Sequence, residues 1–283
     1  MNIKKILAIQ AHPDDESFGM GGTLALYAKL GVEITLVTAT GGENGPVPEA
    51  YKQSGQSVKE IRTEELDCAV KALGLTRLIR LGYQDSGMQG WDANRDPLAF
   101  MNQPKEEVSN RILQIMREVL PQVVLTHNAK GDYGHPDHRW VHETSVAAFK
   151  AYQAQVESTN GASKGLVLYS HLIPKGMIKS AILYYRLVGK DPRHFGENGD
   201  VDLVALYEQD FPLHVLIKYA SVRDVKQQAS ACHASQGGGA LSTGFEAFIQ
   251  KLIDRPRDSF TQVLPEALPN QPVKADLFEG IIL

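Results

Sequence analysis

Two short polar segments of the sequence contain the residue types of a metal site. They are AHPDDE at 11–16 and GHPDH at 134–138. Catalytic zinc is held by about three His or carboxylate ligands and keeps one position open for water. Either segment alone could be a helix N-cap, because Asp side chains accept hydrogen bonds from the first amides of a helix. The two segments together favour a metal centre, with His12, Asp15 and His138 as its ligands.

The first segment places three acidic residues in a row, Asp14, Asp15 and Glu16. Adjacent carboxylates repel one another, and a divalent cation that binds one of them removes this cost. A neighbouring carboxylate then stays free to act as a base. We therefore expect Asp15 to face the metal and Asp14 to lie beside the water that the metal activates. Glu16 is assigned a role at the helix start or in support of the site.

Apolar runs with the pattern of strands precede both segments and alternate with helical patterns. This alternation is typical of βαβ units around a parallel sheet. In open α/β sheets, ligands bind beyond the carboxyl ends of the strands, which is where both segments fall. We predict strands at 5–11, 32–40, 76–82, 121–127 and 165–173, and helices at 21–31, 58–73 and 105–120.

The predicted fold class is α/β, with a Rossmann-like, mostly parallel sheet flanked by helices and a smaller C-terminal α+β portion. Residues 1–155 are expected to form the metal-binding catalytic core. Residues 156–283 are expected to pack on this core and to wall the substrate pocket.

The composition of the 283-residue chain argues against several classes of protein. Its formal net charge of −4 offers no basic excess for a nucleic-acid backbone. Acids interrupt the apolar run near the N-terminus before it reaches the length of a signal peptide or a membrane span. We therefore expect a cytoplasmic protein without nucleic-acid or membrane partners. Cys68 and Cys232 form no CxxC pattern, and we expect both to be reduced thiols, with Cys68 inside a helix.

Four motifs together resemble those of the PIG-L/LmbE family of zinc-dependent N-deacetylases. They are AHPDDE after the first strand, GGE after the second, Arg62 and Glu65 on the following helix, and GHPDH after a later strand. The resemblance covers about residues 3–152, extends weakly to ACHASQ at 231–236, and is nearest to the mycothiol-pathway and N-acetylglucosaminyl deacetylases. It implies a hydrolase that removes the N-acetyl group from an N-acetylglucosamine-type amino sugar or its conjugate, a small-molecule substrate.

The resemblance also implies roles for the residues of the first segment and their partner. His12, Asp15 and His138 match the zinc ligands of the family. Asp14 matches its general base, which takes a proton from the water that the metal activates. This water would attack the carbonyl carbon of the acetamide. Because ligation by two His and one Asp also suits iron, the implied cofactor is Zn²⁺ with Fe²⁺ as an alternative.

Three more residues match positions beside the reacting carbonyl group. His135, when protonated, would stabilise the tetrahedral oxyanion or protonate the departing amine. Asp137 could orient the ring of His135, as a carboxylate orients an imidazole in other enzymes. Tyr133 matches a tyrosine near the developing oxyanion. With Asp14, these three residues are the expected catalytic group.

Substrate contacts follow from the same resemblance. Arg62 matches a substrate-holding arginine, Asp85 is a candidate acceptor for sugar hydroxyls, and Glu43 could line the pocket or only lie in a loop. The alternative for Arg62 is an i,i+3 pair with Glu65 on a solvated helix. Pro46 stands where the glucosaminyl-inositol deacetylases carry an acidic residue, so the identity of the substrate stays open.

Two other functions are compatible with these motifs. One is a metal-dependent amidase that acts on a non-sugar amide or a thiol S-conjugate. The other is a non-catalytic module that binds a sugar or a nucleotide. No GxGxxG motif follows the first strand, which argues against a nucleotide-binding module. The sequence is also compatible with a homo-oligomer.

The remaining histidines are interpreted first as structural. His142 is expected to pack or to cap, with support of the site as the alternative, and His127 could belong to the core or to the pocket wall. His233 in ACHASQ is expected to be structural, and the resemblance adds a site-lining role as the alternative. No neighbouring residues indicate chemistry for His171, His194 and His214.

Overall fold

Strands and helices alternate along the chain, as the sequence predicts. The computed structural model describes residues 3–52, 55–160, 165–196, 198–238 and 256–281. The strands within these ranges are β1 (Lys5–Gln10), β2 (Glu33–Thr40), β3 (Arg77–Tyr83), β4 (Val123–Thr126), β5 (Val167–Leu172), β6 (Val215–Lys218) and β7 (Arg257–Leu264). The helices longer than one turn are α1 (Asp15–Lys29), α2 (Val58–Leu73), α3 (Lys105–Val119), α4 (Pro136–Asn160), α5 (Lys175–Leu187), α6 (Leu203–Glu208) and α7 (Arg223–Cys232).

The described strands form one sheet in the order β3-β2-β1-β4-β5-β7-β6. The first five strands are parallel, while β7 runs antiparallel to both β5 and β6. The chain builds the sheet outward from β1 in one direction and then from β4 in the other. The strand order therefore reverses between β1 and β4, and ligands bind beyond the carboxyl ends of the strands at such a point in folds of this kind. The predicted Rossmann-like, mostly parallel sheet is confirmed.

Helices cover both faces of the sheet because its central strands are apolar on both sides. In β1, Ile6 and Ala8 face one core, and Leu7 and Ile9 face the other; none of the four is exposed. Helices α1, α2 and α7 contribute apolar side chains to the first core, and α3 and α4 contribute to the second. Burial on both faces is the reason that β1 is a continuous apolar run and does not alternate with polar residues.

The predicted helix at 58–73 has the predicted bounds because local signals fix both of its ends. Ser57 and Glu60 form a capping box, in which each side chain hydrogen-bonds to the other residue's backbone N–H. Gly74 ends the helix in the left-handed conformation, at φ 72°. These two signals lie within the sequence of the helix itself, so local patterns are sufficient to place it.

Residues beyond position 155 extend the same sheet. Strand β5 pairs in parallel with β4, and β7 and β6 complete that edge of the sheet. The division of the chain into a core at 1–155 and a portion at 156–283 stays a prediction. In the part of the chain that is described, no helix combines the length and the apolar character that a membrane crossing needs.

The prediction of two reduced thiols is wrong, because Cys68 and Cys232 form a disulfide. Cys68 lies in α2, as expected, and Cys232 ends α7. The two residues are 164 positions apart in the sequence, but α7 packs against α2 and brings their Cα atoms to 5.7 Å. Disulfides are rare in the reducing cytosol. The cytoplasmic location stays a prediction, and this bond is a reason to test it.

Candidate metal centre

The turn from β1 into α1 and the start of α4 bring the three predicted ligands into one cluster. His12 Nδ1 lies 3.2 Å from His138 Nε2 and 3.6 Å from Asp15 Oδ2. His138 Nε2 lies 3.4 Å from Asp15 Oδ1. The backbone N–H of His12 donates to Asp15 Oδ2 at 2.8 Å, so the turn itself sets part of this spacing. Ligand atoms about 2.0–2.2 Å from a tetrahedral zinc lie about 3.3–3.6 Å from one another. The three contacts are close to this spacing, although the two contacts of Asp15 involve its two different oxygens.

Hydrogen bonds on the far side of each ring show which nitrogen atoms are free to bind a metal. His138 Nδ1 donates to Asp132 Oδ2 at 3.0 Å, which leaves a lone pair on its Nε2. His12 Nε2 lies 3.1 Å from Asp137 Oδ2, to which it donates, and this leaves a lone pair on its Nδ1. With both rings neutral, these two lone pairs would lie 3.2 Å apart and repel each other, and a proton or a metal ion held between them removes the repulsion. The donor set therefore fits a metal ion.

Carboxylates surround His12 on the side away from His138. Asp137 contacts its Nε2, and Asp85 Oδ1 lies 3.5 Å from the same atom. Burial lowers the pKa of His12, but Asp85, Asp137 and Asp15 outweigh burial and raise this pKa well above its usual value. The surroundings of the ring therefore favour a positive charge, as carried by a proton or a metal ion.

Asp132 hydrogen-bonds to the rings of both His138 and His127 beneath the cluster. Its carboxylate accepts hydrogen bonds from His127 Nδ1 at 2.6 Å and from Asn128 Nδ2 at 2.8 Å. His127 stacks on His138 with ring centroids 3.8 Å apart, and its Nε2 accepts the N–H of Ala11 at 3.0 Å. A carboxylate behind a metal-binding His fixes the tautomer and the orientation of that ring. His127 is thus part of the wall beneath the centre, and its Nε2 is already occupied.

Further His and carboxylate side chains lie close enough to the three-residue cluster to be considered as ligands. Each candidate set of ligands shares at least one residue with the cluster, so the described residues favour one metal centre over several separate sites. The overlapping groups are His12, His135 and His138; His12, Asp85, His135 and Asp137; and Asp15, His127 and His138.

The predicted contact between the Asp137 carboxylate and the ring of His135 is wrong. Asp137 Oδ2 contacts His12 instead and accepts the N–H of Ser86 at 3.0 Å. Asp137 reaches His135 through its backbone, whose N–H donates to His135 Nδ1 at 3.1 Å. The two residues lie at the start of α4, where a short turn allows this backbone contact. In the neutral ring the proton then sits on His135 Nε2, which is free to donate.

Two hydrogen-bond donors lie beside the cluster. Burial, with His12 and His138 close by, lowers the pKa of His135 well below its usual value, which favours the neutral ring over the predicted protonated one. The ring of Tyr133 lies 5.1 Å from that of His138 and 6.1 Å from that of His135. Burial is the main reason that the pKa of Tyr133 is raised well above its usual value, so the phenol keeps its proton.

Asp14 precedes α1 in a backbone conformation that residues other than glycine rarely adopt, at φ 114°. Its Oδ2 accepts a hydrogen bond from Arg62 Nη2 at 2.9 Å, and 19% of its side chain stays exposed. Burial raises the pKa of Asp14 to about 6, although the guanidinium of Arg62 opposes this shift. A carboxylate of this kind is ionised at neutral pH and is well matched to accept a proton.

Arg62 is buried, with 4% of its surface exposed, so the alternative of a solvated pair with Glu65 is wrong. The guanidinium donates to the carbonyl groups of Pro13 at 2.5 Å and Gly42 at 2.7 Å. A Cβ at Gly42 would lie 2.3 Å from Arg62 Nη1, so only glycine allows this close approach. Glu65 accepts hydrogen bonds from Ser235 instead. The contact of Arg62 with the substrate stays a prediction.

Glu43 and Asp85 join the loops that follow β2 and β3. Glu43 accepts the N–H of Gly41 at 3.1 Å and that of Asp85 at 3.2 Å. Asp85 is 3% exposed and accepts the N–H groups of Gly87 at 2.8 Å and Asn44 at 3.0 Å. Both carboxylates therefore bind backbone amides in this structure. Their predicted contacts with the substrate stay predictions.

One residue of the centre, Asp132, was not predicted. Its sequence signal is weak: it lies in a glycine-containing turn six residues before His138. His171, to which no chemistry was assigned, also lies near the centre, with its Nδ1 3.8 Å from Asp132 Oδ1. His142 packs as expected, and its ring hydrogen-bonds to the carbonyl of His127 at 2.8 Å.

Comparisons with known proteins identify one family and several relatives. The family described as GlcNAc-PI de-N-acetylase (PIG-L) matches residues 7–149. A 1D-myo-inositol 2-acetamido-2-deoxy-alpha-D-glucopyranoside deacetylase from Acidothermus cellulolyticus is 35% identical over 243 residues, which cover 83% of this chain and 80% of the relative.

Two solved structures share the fold at lower identity. The N,N'-diacetylchitobiose deacetylase of Pyrococcus horikoshii has a TM-score of 0.56 and 21% identity, over 95% of this chain and 88% of that one. The 4-carboxy-2-hydroxymuconate hydratase GalB of Pseudomonas putida KT2440 has a TM-score of 0.59 and 18% identity, over 95% of this chain and all of that one. Because one neighbour is a deacetylase and the other a hydratase, the fold alone does not specify the reaction.

Proposed function

Because the chain belongs to the PIG-L family of GlcNAc-PI de-N-acetylases, we propose that it removes the N-acetyl group from an N-acetylglucosamine-type amino sugar or its conjugate. The observation that carries the proposal is the cluster of His12, Asp15 and His138 next to the partly exposed carboxylate of Asp14. The reaction is hydrolysis of an amide, in which water adds to the carbonyl carbon and acetate and a free amine are released.

His12, Asp15 and His138 would hold a divalent cation, for which we propose Zn²⁺. Such an ion, when bound, polarises a carbonyl oxygen and makes water more acidic. Two imidazoles and one carboxylate suit zinc, and they also suit Fe²⁺. Metal analysis of protein purified without chelator distinguishes the two ions.

The side chains around the cluster supply proton transfer and charge stabilisation. Asp14 accepts the proton of the attacking water, and Arg62 holds the Asp14 carboxylate in place. Nε2–H of His135 and the phenol of Tyr133 donate to the carbonyl oxygen as it gains negative charge. The bond between the carbonyl carbon and nitrogen then breaks, and the proton held by Asp14 goes to the departing amine.

The substrate would approach across the rim formed by the loops after β2 and β3. Glu43 and Asp85 lie in these loops and Arg62 lies in α2, and we retain the three as candidate contacts for the sugar. On the other side, Tyr133 packs against an apolar cluster that includes Ile178 and Leu206. This packing supports the proposal that residues 156–283 help to wall the pocket. A small-molecule amino sugar is the proposed partner, and a homo-oligomer stays a prediction.

Acetate release from a panel of amides tests the proposed reaction. The panel contains N-acetylglucosamine, its inositol conjugate, N,N'-diacetylchitobiose and an S-conjugate of N-acetylcysteine. Acetate from the sugars would support the proposal, whereas turnover of the cysteine conjugate alone would favour the amidase alternative. Metal-loaded protein that releases acetate from none of them would contradict both reactions and would favour a binding module.

Asp14→Asn tests the assigned base. We expect kcat to fall by about 10²–10⁴-fold while the bound metal is retained, because the side-chain amide of the asparagine cannot accept a proton from water. Asp67→Asn is the matched control, since Asp67 lies on the surface of α2 with 59% of its side chain exposed. Loss of the metal together with activity in Asp14→Asn, or unchanged kcat, would contradict the role of Asp14 as the base.

A further inference from the structure

A chain of buried hydrogen bonds connects Asp14 with the end of α7. The backbone N–H of Asp14 donates to Glu16 Oε2 at 3.0 Å. Glu16 Oε1 pairs with His233 Nε2 at 2.7 Å and accepts the hydroxyl of Ser17 at 2.6 Å. Glu16 and His233 are both fully buried, although they are 217 positions apart in the sequence. Neither residue is among the proposed ligands or catalytic groups.

The direction of these hydrogen bonds makes His233 the support of Glu16. A buried carboxylate is costly unless hydrogen-bond donors surround it, and His233 supplies the donor that comes from outside the loop. No described residue hydrogen-bonds to the other ring nitrogen, Nδ1, which is buried. The polar contact of the imidazole is therefore directed at Glu16. Glu16 in turn holds the peptide N–H of Asp14, at the residue whose φ of 114° is unfavourable for an aspartate.

Two contacts with α2 keep His233 in place. The disulfide to Cys68 ties Cys232, the residue directly before His233, to that helix. Two residues after His233, the backbone N–H and the hydroxyl of Ser235 both donate to Glu65 at 2.7 Å. Helix α2 also carries Arg62, which holds the carboxylate of Asp14. The side chain of Asp14 is thus held from α2, and its backbone is held by Glu16, whose partner His233 follows a helix that is itself tied to α2.

We propose that His233 is a positioning residue for Asp14, which acts through Glu16 by fixing the backbone N–H of Asp14 and so the place of its carboxylate. This inference rests on the proposed function, because it needs Asp14 to be the base. A residue with this role touches neither substrate nor metal. Its loss should lower the rate of the chemical step and leave substrate binding and metal binding nearly unchanged.

Two variants of His233 separate positioning from simple packing. His233→Leu introduces an apolar side chain of similar size and removes the hydrogen-bond donor. We expect kcat to fall by about 10–100-fold, while KM stays within about twofold and the metal is retained. In His233→Gln the side-chain amide can still donate to Glu16, and we expect most of kcat to return. His214→Leu is the matched control, since His214 accepts the N–H of Gln262 away from the centre, and its kcat should stay within about twofold.

A readout that does not depend on turnover keeps this inference separate from the proposed reaction. In the metal-loaded full-length protein, exchange of the Asp14 backbone amide with solvent, measured by NMR, should be faster in His233→Leu than in the wild type and slow again in His233→Gln. If the wild type releases no acetate, the proposed reaction fails, but the amide exchange still shows whether His233 supports the backbone N–H of Asp14 through Glu16. Unchanged exchange in His233→Leu, or unchanged kcat in an active enzyme, would overturn the positioning role. A kcat loss that His233→Gln does not recover would do the same.

Discussion

Replacing Asp132 with asparagine should weaken metal binding although Asp132 is not a metal ligand. Its carboxylate accepts four hydrogen bonds, from His138 Nδ1 at 3.0 Å, His127 Nδ1 at 2.6 Å, Asn128 Nδ2 at 2.8 Å and the backbone N–H of Asn128 at 3.4 Å. An asparagine keeps one acceptor oxygen and turns the other position into a donor. If that donor faces Asn128, the amide of Asn128 cannot turn to compensate, because its Oδ1 already accepts the N–H of Lys130 at 2.9 Å.

The expected size of the effect follows from the acceptor behind His138. His138 Nδ1 and His127 Nδ1 both donate to Asp132 Oδ2, whereas Asn128 donates to Oδ1. An asparagine whose NH2 group faces Asn128 therefore offers the rings a neutral oxygen, and one whose NH2 group faces the rings offers them no acceptor. A hydrogen bond to a charged group contributes about 1.5–3 kcal/mol. Its weakening or loss behind a metal-binding ring corresponds to about a 10–100-fold loss of metal affinity, the range found for residues that support metal ligands. His138 would still carry its Nε2 toward the centre, so the affinity should fall without being abolished.

Competition between the apoprotein and a zinc-binding fluorescent chelator measures this affinity directly. Asp276→Asn is the control, because Asp276 accepts hydrogen bonds from Tyr27 Oη at 2.6 Å and Phe278 N at 3.0 Å in another part of the fold. Circular dichroism and thermal unfolding establish that both variants are folded. A zinc dissociation constant of folded Asp132→Asn within twofold of the wild-type value would refute the role of Asp132 in orienting His138.

Three further predictions concern stability. Reduction of the disulfide with dithiothreitol, or replacement of Cys68 and Cys232 by serine, should lower the free energy of unfolding by about 3–5 kcal/mol, because the bond closes a long loop. Equal urea midpoints with and without reductant would contradict this prediction. Gly42→Ala should cost at least about 1–2 kcal/mol, because its φ is +65° and a Cβ would meet Arg62; a thermal melt equal to that of the wild type would exclude the clash.

The third stability prediction is a pH dependence. Burial is the main cause that raises the pKa of Asp258 above its usual value, so the folded state favours the protonated carboxyl. Its contribution to stability is greatest below the unfolded pKa of about 3.9 and is lost as the pH rises through the folded pKa. The stability of Asp258→Asn relative to the wild type should therefore increase as the pH rises from about 4 toward 7. A difference in unfolding free energy that stays constant with pH would show that burial of this carboxylate carries no penalty.

Local patterns were sufficient for several elements and for placing the proposed ligands near one another, although α1 begins six residues before its predicted start at 21. Helix α2 has its predicted bounds because its capping box and its C-terminal glycine lie within a few positions of its ends. His12 and Asp15 could be assigned together because one turn sets their spacing, and His138 because a similar turn follows another parallel strand. In a sheet of this type the carboxyl ends of neighbouring strands share an edge, so two local motifs specify one site.

Contacts between residues distant in the sequence were decided only by the tertiary structure. The sequence placed Arg62 on a helix but could not show that its guanidinium is buried against Asp14. It also gave no reason to pair Cys68 with Cys232 or to place His233 on Glu16, since both pairs depend on how α7 packs against α1 and α2.

The sequence by itself therefore determined which residues we propose as metal ligands and as the base, because the turns that present them are local. The tertiary structure decided what holds those residues in place. This support comes from contacts between side chains of different helices and loops. Such contacts follow from the packing of the whole chain and leave no periodic pattern in the sequence.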